Sequence, residues 1–223
     1  MSTPDSTAVI IFAKEPIAGK AKTRLAASLP AVYGDAGQFA AGLYAVCLEA
    51  VFQSLSGLPF PVQPFITPDS SPEYFTRFAA GHIFVQQGLN LGERMHDAFR
   101  QNFSRYAKLL LIGSDLPQLR SDTLLAANAA LESHDCVLGP AEDGGYYLIG
   151  FTKSGFCDCF QGVAWSTDKV LEQTLERLKG KKVTLLEQYR DIDTVEDLAA
   201  LAASPDCPAA VTAFLSKHGH GWT

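Results

Sequence analysis

The chain has 223 residues, of which 47% are hydrophobic and 19% are charged, and its formal net charge is −6. This length suits one α/β domain with a full core, and the globular composition excludes an intrinsically disordered chain. The negative net charge argues against a non-specific nucleic-acid binder, whose surface would be basic.

The sequence also indicates the cellular compartment. No apolar run approaches the roughly 20 residues that a membrane-spanning helix needs, so we expect no membrane span. The first residues, MSTPDSTAV, carry an acid where a signal peptide carries basic residues. The five cysteines are odd in number, and their spacing suggests no disulfide framework. We therefore expect a cytoplasmic protein with reduced thiols.

Short apolar segments alternate with helical patterns along the whole chain. Strands are predicted over residues 8–13, 62–67, 82–86, 108–113, 135–139, 146–151 and 182–188. Helices are predicted over residues 22–28, 36–55, 72–80, 92–105, 121–133, 168–180, 194–203 and 208–217. This alternation predicts a mostly parallel mixed sheet covered by helices on both faces, as a single three-layer α/β/α domain over residues 1–223.

The first candidate site follows the first strand, where Lys14 to Arg24 place four cations in eleven residues. Ligands of open α/β sheets bind beyond the carboxyl ends of strands, and Pro16 and Gly19 favour a loop there. Lys22 and Arg24 oppose the dipole of the following helix, a conflict that a bound anion would resolve. The segment matches neither Walker A nor G-x-G-x-x-G. We predict a phosphate-binding loop, with a solvated basic loop as the alternative.

Two later strands also end in acids. Asp115, in the sequence GSDLP, can coordinate Mg²⁺ or Mn²⁺ and so neutralise a diphosphate, or it caps a turn. Asp143 can bind a metal ion, accept hydrogen bonds from sugar hydroxyls, or cap its turn. Gly144 and Gly145 allow a close approach of the backbone. The carboxyl ends of the strands are therefore expected to converge on one site.

A further pair of acids precedes the helix that is predicted to begin at Thr194. Alternation places Asp191 and Asp193 on one face of an extended segment. Two carboxylates at a strand end are costly unless they are solvated or share a cation, and we favour a cation-binding role for Asp193.

Two weaker signals complete the set. Arg94 either reaches a phosphate or pairs with Asp97. Trp165 either stacks on a sugar or base or packs as a half-buried core residue. His134 and the cysteines lack the paired spacing of a zinc site, so we assign them to structure.

The segments FAKEPIAGKAKTRL, GSDLPQL, GPAEDGGYYLIGF and DIDTVEDL together resemble the GT-A-type nucleotide-diphospho-sugar transferase-like group, in the correct order over residues 8 to about 200. Its members are often described as uncharacterised glycosyltransferases, and some are associated with arsenosugar biosynthesis. The group is similar to 2-phospholactate guanylyltransferase and molybdenum-cofactor guanylyltransferase. The resemblance implies a single Rossmann-like GT-A domain with the nucleotide over the first half of the sheet.

The resemblance also implies roles for individual residues. Asp115 would bind the divalent metal ion, and Asp193 would complete the metal site. Phosphate contacts are implied for Lys14, Lys22 and Arg24. Two motifs of related enzymes are missing, since residues 115–117 read Asp-Leu-Pro instead of Asp-x-Asp and G-x-G-x-R is absent. Val195 also stands where Pro is usual.

Two activities therefore stay open. We expect a transferase that uses Mg²⁺ or Mn²⁺ and moves a glycosyl group from a nucleotide-sugar to a small-molecule acceptor. The alternative is a nucleotidyltransferase that joins a nucleoside triphosphate to a phosphorylated small molecule and releases pyrophosphate. A catalytically inactive nucleotide-binding subunit is disfavoured, because the gathered acids would destabilise a site that held no cation.

The predicted site has four groups of residues, and the catalytic group shares one residue with the metal group and one with the sugar or acceptor group. The catalytic candidates are Asp115 and Asp143, and Asp143 acts either as base or as a partner of the acceptor hydroxyl. The metal ligands are Asp115 and Asp193. The phosphate-binding residues are Lys14, Gly19, Lys22, Arg24 and Arg94. The sugar or acceptor contacts are Asp143, Gly144, Gly145 and Trp165.

Overall fold

The structure is a computed structural model that describes residues 6–79 and 81–218. Its strands are β1 (Thr7–Ala13), β2 (Val62–Ile66), β3 (Phe84–Val85), β4 (Lys108–Ile112), β5 (Cys136–Pro140), β6 (Tyr146–Thr152) and β7 (Val183–Leu185). Its α-helices are α1 (Thr23–Ser28), α2 (Ala36–Leu55), α3 (Pro72–Phe75), α4 (Leu91–Asn102), α5 (Ser121–Ala130), α6 (Val170–Arg177), α7 (Val195–Ala203) and α8 (Ala209–His218). A short 3₁₀ helix covers Ala31–Tyr33.

The strands form one mixed sheet in the order β3-β2-β1-β4-β6-β5-β7. Only β6 runs antiparallel to its neighbours among the described strands, which confirms the predicted fold class. β1 and β4 are buried along their whole length, as their continuous apolar runs predict for central strands. The predicted single domain includes residues outside the described ranges (1–5, 80 and 219–223), so that boundary stays a prediction.

Helices cover both faces of the sheet, each over its own apolar core. On one face, Leu48 and Val51 of α2 pack with Val9 and Ile11 of β1. On the other face, Phe99 of α4 packs in a cluster rich in aromatic side chains. These two cores give the three α/β/α layers.

A third apolar cluster lies outside the sheet. It joins α1, α2, α7 and α8 through residues that include Leu25, Phe39, Leu198 and Val211. This cluster fixes the helix that follows the basic loop against the helix that follows Asp193, and so brings the first and last predicted site segments together.

The helix α2 has the length and apolar composition of a membrane span, although 56% of its most apolar window is buried inside the protein. Its buried residues include Leu43, Leu48 and Val51, which contact the sheet and α8. This is the packing of a core helix. The absence of a membrane span stays a prediction.

Several predicted elements are longer than the observed ones. Within the described part of the helix predicted over 72–80, which excludes residue 80, only Pro72–Phe75 is α-helical. The backbone N–H groups of Thr76 and Phe78 bond the carbonyls of Glu73 and Phe75, three residues back, and so form tighter turns. The strand predicted over 182–188 is formed only by Val183–Leu185. Neither difference moves a candidate site residue.

Candidate functional site

A cavity of about 520 Å³ lies at the carboxyl ends of the parallel strands. Its charged lining residues are Lys14, Lys22, Arg24, Arg94, Asp115, Asp143, Asp191 and Asp193. Gly145 and Trp165 also line it. The structure thus gathers most of the predicted site residues around one space. Gly19 and Gly144 shape the adjoining loops.

The basic loop is held in place by contacts of its own. Glu15 accepts a hydrogen bond from the backbone N–H of Ser71, and its own N–H donates to the hydroxyl of Ser70, both at 2.8 Å. Gly19 adopts a left-handed conformation with φ of +75° at the turn. The loop therefore keeps a fixed path from β1 to α1.

Lys22 is the most constrained cation of this loop. Its Nζ lies 2.6 Å from Oδ1 of Asp115 and donates to the carbonyl oxygen of Ile192 at 2.5 Å. The side chain is only 5% exposed. Burial alone would lower the pKa of Lys22, but the charge and the hydrogen bond of Asp115 outweigh it and raise the pKa.

Asp115 lies three residues after β4 ends at Ile112. Burial acts to raise the pKa of this carboxyl, but the nearby charge and hydrogen bond of Lys22 outweigh it and lower the pKa. The hydroxyl groups of Tyr44 and of the preceding Ser114 are 2.6 Å apart, and Tyr44 also accepts the N–H of Lys14 at 3.3 Å. One side chain of α2 therefore braces the ends of both β1 and β4.

Arg24 of the basic loop also forms an ion pair, with its Nη1 2.8 Å from Oδ2 of Asp193. The sequence suggested that a bound anion resolves the conflict of Lys22 and Arg24 with the helix dipole. The structure corrects that reasoning, because carboxylates of the chain itself, Asp115 and Asp193, accompany these two cations. The phosphate-binding role of both residues stays a prediction.

Three carboxylates cluster in the cavity, and one of them is Asp193, the partner of Arg24. One oxygen each from Asp143, Asp191 and Asp193 lies within 4.8 Å of the others, an arrangement that can hold a metal ion. Burial, followed by the charges of Asp143 and Asp193, raises the pKa of Asp191 to about 6. Asp115 is not one of this group.

Asp191 was not among the residues predicted to act in the site, although its i, i+2 spacing from Asp193 was visible in the sequence. Oxygen donors of this kind are the ligands that Mg²⁺ and Mn²⁺ prefer, so the group fits a divalent cation.

The turn that carries Asp143 requires glycine at its next position. Gly144 has φ of +86°, and a Cβ there would lie 2.2 Å from the carbonyl oxygen of Asp168. The Gly144 carbonyl accepts the N–H of Leu171 at 2.8 Å, and Oδ1 of Asp143 accepts the N–H of Gly145 at 2.8 Å. The turn is therefore packed directly against the chain before α6.

Arg94 and Trp165 close the cavity from the side of α4. Arg94 donates to the carbonyl of Gly88 at 3.1 Å, whereas Asp97 pairs with Arg100 at 3.6 Å. The predicted alternative of an Arg94–Asp97 pair is therefore wrong.

Trp165 is half-buried, and its indole ring packs so closely on Gly92 that a Cβ there would meet it at 2.8 Å. Next to it, Ser166 lines the cavity in a left-handed conformation with φ of 63°, a feature that no sequence signal indicated. All five cysteines are free, as expected.

Comparisons with known proteins show what the chain is similar to. A family described as "Uncharacterized protein conserved in bacteria (DUF2064)" matches residues 59–167. A candidate nucleotide-diphospho-sugar transferase from Desulfovibrio desulfuricans G20 is 34% identical, with a TM-score of 0.86. That match covers 97% of this chain and 95% of the other. A comparison with curated proteins finds no match.

Two further solved structures share the fold alone, at low identity. The 4-diphosphocytidyl-2C-methyl-D-erythritol synthase from Anaerococcus prevotii DSM 20548 is 13% identical with a TM-score of 0.55, over 87% of this chain and 95% of that one. A CMP:2-keto-3-deoxy-manno-octonic acid synthetase in complex with CTP is 12% identical with a TM-score of 0.51, over 88% and 96%. At 34% identity over 97% of its length, the chain thus belongs to the same family as the candidate nucleotide-diphospho-sugar transferase from Desulfovibrio desulfuricans G20.

Proposed function

We propose that this protein is a divalent-metal-dependent transferase that moves a glycosyl group from a nucleotide-sugar to a small-molecule acceptor. The observation that carries the proposal is the cluster of carboxylates Asp143, Asp191 and Asp193, which lines the same cavity as cations of the basic loop. Acids and cations are both needed when a metal ion and a diphosphate share a site.

The three carboxylates would hold Mg²⁺ or Mn²⁺. When bound, such an ion neutralises charge on the departing diphosphate. The raised pKa of Asp191 supports this role, since burial and the charges of Asp143 and Asp193 outweigh the opposing charge of Lys22. Asp115 stays a predicted ligand, and its carboxylate pairs with Lys22.

The phosphates would lie against cations whose donors are not fully used. Lys14 is exposed and forms no ion pair with any described residue. Arg94 engages one backbone carbonyl through Nε, and Arg24 engages one carboxylate through Nη1. A guanidinium carries five donors, so both arginines retain donors for phosphate oxygens.

The acceptor would lie beside Asp143 and Trp165. Asp143 is exposed, and the carboxylate oxygen that does not bind the metal ion would accept the proton of an attacking hydroxyl. The indole face of Trp165 offers an apolar surface to a sugar ring. A carboxylate base supports a hydroxyl acceptor over a phosphorylated one, because a phosphate nucleophile is already ionised. We also propose a cytoplasmic location, which the five free thiols support.

Nucleotidyl transfer is the second candidate. It is favoured by the two fold neighbours, one named for a diphosphocytidyl product and one solved with CTP. In that reaction Lys14, Arg24 and Arg94 would hold a triphosphate, and no general base would be needed.

A ligand screen by thermal unfolding separates the candidates. In the presence of Mn²⁺ or Mg²⁺, a nucleotide-sugar at about 100 times its Kd should stabilise the protein by about 2.7 kcal/mol. For a chain of this size that corresponds to a rise in Tm of roughly 5–10 °C. Stabilisation by UDP- or GDP-sugars without stabilisation by triphosphates supports glycosyl transfer, and the opposite pattern would reject it.

A site variant and a matched control variant test the metal site itself. Asp193→Asn should remove the metal-dependent part of the stabilisation, because it removes one of the three carboxylates. Asp206→Asn removes an exposed carboxylate after α7, remote from the cavity, and should leave the shift unchanged.

A further inference from the structure

Lys22 joins the ends of two strands that are not neighbours in the sheet. Its ammonium contacts Asp115, which follows β4, and the carbonyl of Ile192, in the segment that follows β7. The strands β6 and β5 lie between β4 and β7. One side chain therefore connects the two acidic parts of the site.

The backbone of Lys22 is adapted to this contact. It has φ of 49° and ψ of 45°, a left-handed conformation that a residue with a Cβ adopts only at a cost in energy. Such a conformation persists where surrounding contacts fix it, and the two short contacts of the ammonium do so here.

The two cavity lysines of the basic loop differ in exposure and in partners. The Lys22 side chain is 5% exposed and its ammonium already has an anionic and a carbonyl partner. Lys14 is exposed and has no ion-pair partner among residues 6–79 and 81–218. A phosphate could approach Lys14 freely, whereas it would have to displace Asp115 to reach Lys22.

We propose that Lys22 is a positioning residue, which holds Asp115 against the segment 191–193 and contacts no phosphate. This inference rests on the proposed function, because the site it organises is the nucleotide site. It departs from the phosphate contact that the family resemblance implies for Lys22, and it leaves Lys14, Arg24 and Arg94 as the phosphate-binding cations.

The test compares Lys22→Met, Lys22→Arg, Asp115→Asn and the double variant Lys22→Met/Asp115→Asn. The double variant removes both charges of the pair and so leaves no unpaired buried charge, which keeps the test valid if Lys22→Met folds poorly. The probes are UDP and GDP, with the Kd measured by titration calorimetry in Mn²⁺ and again in EDTA. Lys20→Met, an exposed lysine of the same loop that pairs with Asp69, is the matched control.

The affinity gain is the ratio of the nucleotide Kd in EDTA to the Kd in Mn²⁺, and we expect the variants to lose it. In Lys22→Met this gain should fall at least about ten-fold, while the Kd in EDTA changes less than about three-fold. Removal of a positive charge would by itself strengthen cation binding, so a weaker gain reports displaced ligands instead of altered charge. The double variant should lose no more than either single variant, because both act on one contact.

Rescue by arginine gives the second readout. A planar guanidinium cannot reproduce the two short contacts of a buried ammonium, so Lys22→Arg should behave like Lys22→Met. At an open phosphate contact, arginine would restore binding.

A failure of this inference and a failure of the proposed function give different results. If the wild-type protein binds the probes but Lys22→Met weakens binding equally in EDTA, or Lys22→Arg restores it, this inference is wrong and the proposed function stands. If the wild-type protein binds no nucleotide under any condition, the proposed function fails and takes this inference with it.

Discussion

Among the carboxylates of the site, Asp191 is the one whose ionised form is most disfavoured. Its substitution is therefore predicted to raise the free energy of unfolding, whereas most substitutions lower it. Burial, with the charges of Asp143 and Asp193, raises its pKa from 3.8 to about 6. A rise of about two pKa units is worth at most about 3 kcal/mol at 1.36 kcal/mol per unit. Because Asp191 is partly exposed, we discount this to about 1–2 kcal/mol.

The pH dependence follows from the direction of that change. The folded protein binds the Asp191 proton more tightly than the unfolded chain does. The stability that this provides is therefore fully present below about pH 4 and is lost as the pH rises through about 6. Asp191→Asn should accordingly raise the free energy of unfolding by about 1–2 kcal/mol at about pH 8 and leave it nearly unchanged near pH 4.

Urea unfolding of the metal-free protein at both pH values measures this directly, with Asp206→Asn as the control for loss of one negative charge. In saturating Mn²⁺ the wild-type protein should instead be more stable than Asp191→Asn, since it gains binding energy that the variant lacks. A variant that is destabilised at high pH, or stabilised equally at both pH values, would refute the electrostatic reasoning.

Three further substitutions test single contacts, each by chemical unfolding. Gly144→Ala should cost more than about 2 kcal/mol, because left-handed strain adds to the overlap of the new Cβ with the Asp168 carbonyl. Tyr44→Phe should cost about 1–3 kcal/mol, because it leaves the buried hydroxyl of Ser114 without its partner. Thr194→Ala should cost about 1 kcal/mol, because it removes the capping box of α7.

The outcomes that would contradict these expectations are also specific. Gly180 has φ of +89° with no atom within 4 Å of an added Cβ, so the loss of stability in Gly180→Ala measures the cost of left-handed backbone strain alone. Equal costs at Gly144 and Gly180 would show that the Asp168 contact is unimportant. A neutral Tyr44→Phe would mean that Ser114 finds another partner, and a neutral Thr194→Ala would mean that α7 is held by its apolar contacts alone.

The sheet and the location of the site were predictable because both depend on local patterns. Continuous apolar runs mark strands that are buried on both faces, as in β1 and β4. Parallel strands bring their carboxyl ends to one edge, so acids that follow separate strands, such as Asp115 and Asp143, had to meet there. The start of a helix at Thr194 was also predicted, and Thr194 caps α7 there.

The pairing of charges within the site was not predictable from the sequence. Lys22 bonds the carbonyl of Ile192, which lies 170 residues further along the chain. A sequence can show that a cation needs an anion, but it cannot tell a ligand phosphate from a distant carboxylate. The cluster of Asp143, Asp191 and Asp193 was not predicted for a related reason. Asp143 comes close to Asp191 only because the turn at Gly144 packs against the chain before α6.

The most direct test of the central claim is to observe which bond to the diphosphate breaks. Phosphorus NMR of the protein with diamagnetic Mg²⁺, UDP- or GDP-sugars and a panel of small polyhydroxylated acceptors should show release of the nucleoside diphosphate. This release should be lost in Asp193→Asn and kept in Asp206→Asn. Release of pyrophosphate from a nucleoside triphosphate in the presence of sugar phosphates, with every nucleotide-sugar left intact, would contradict the account.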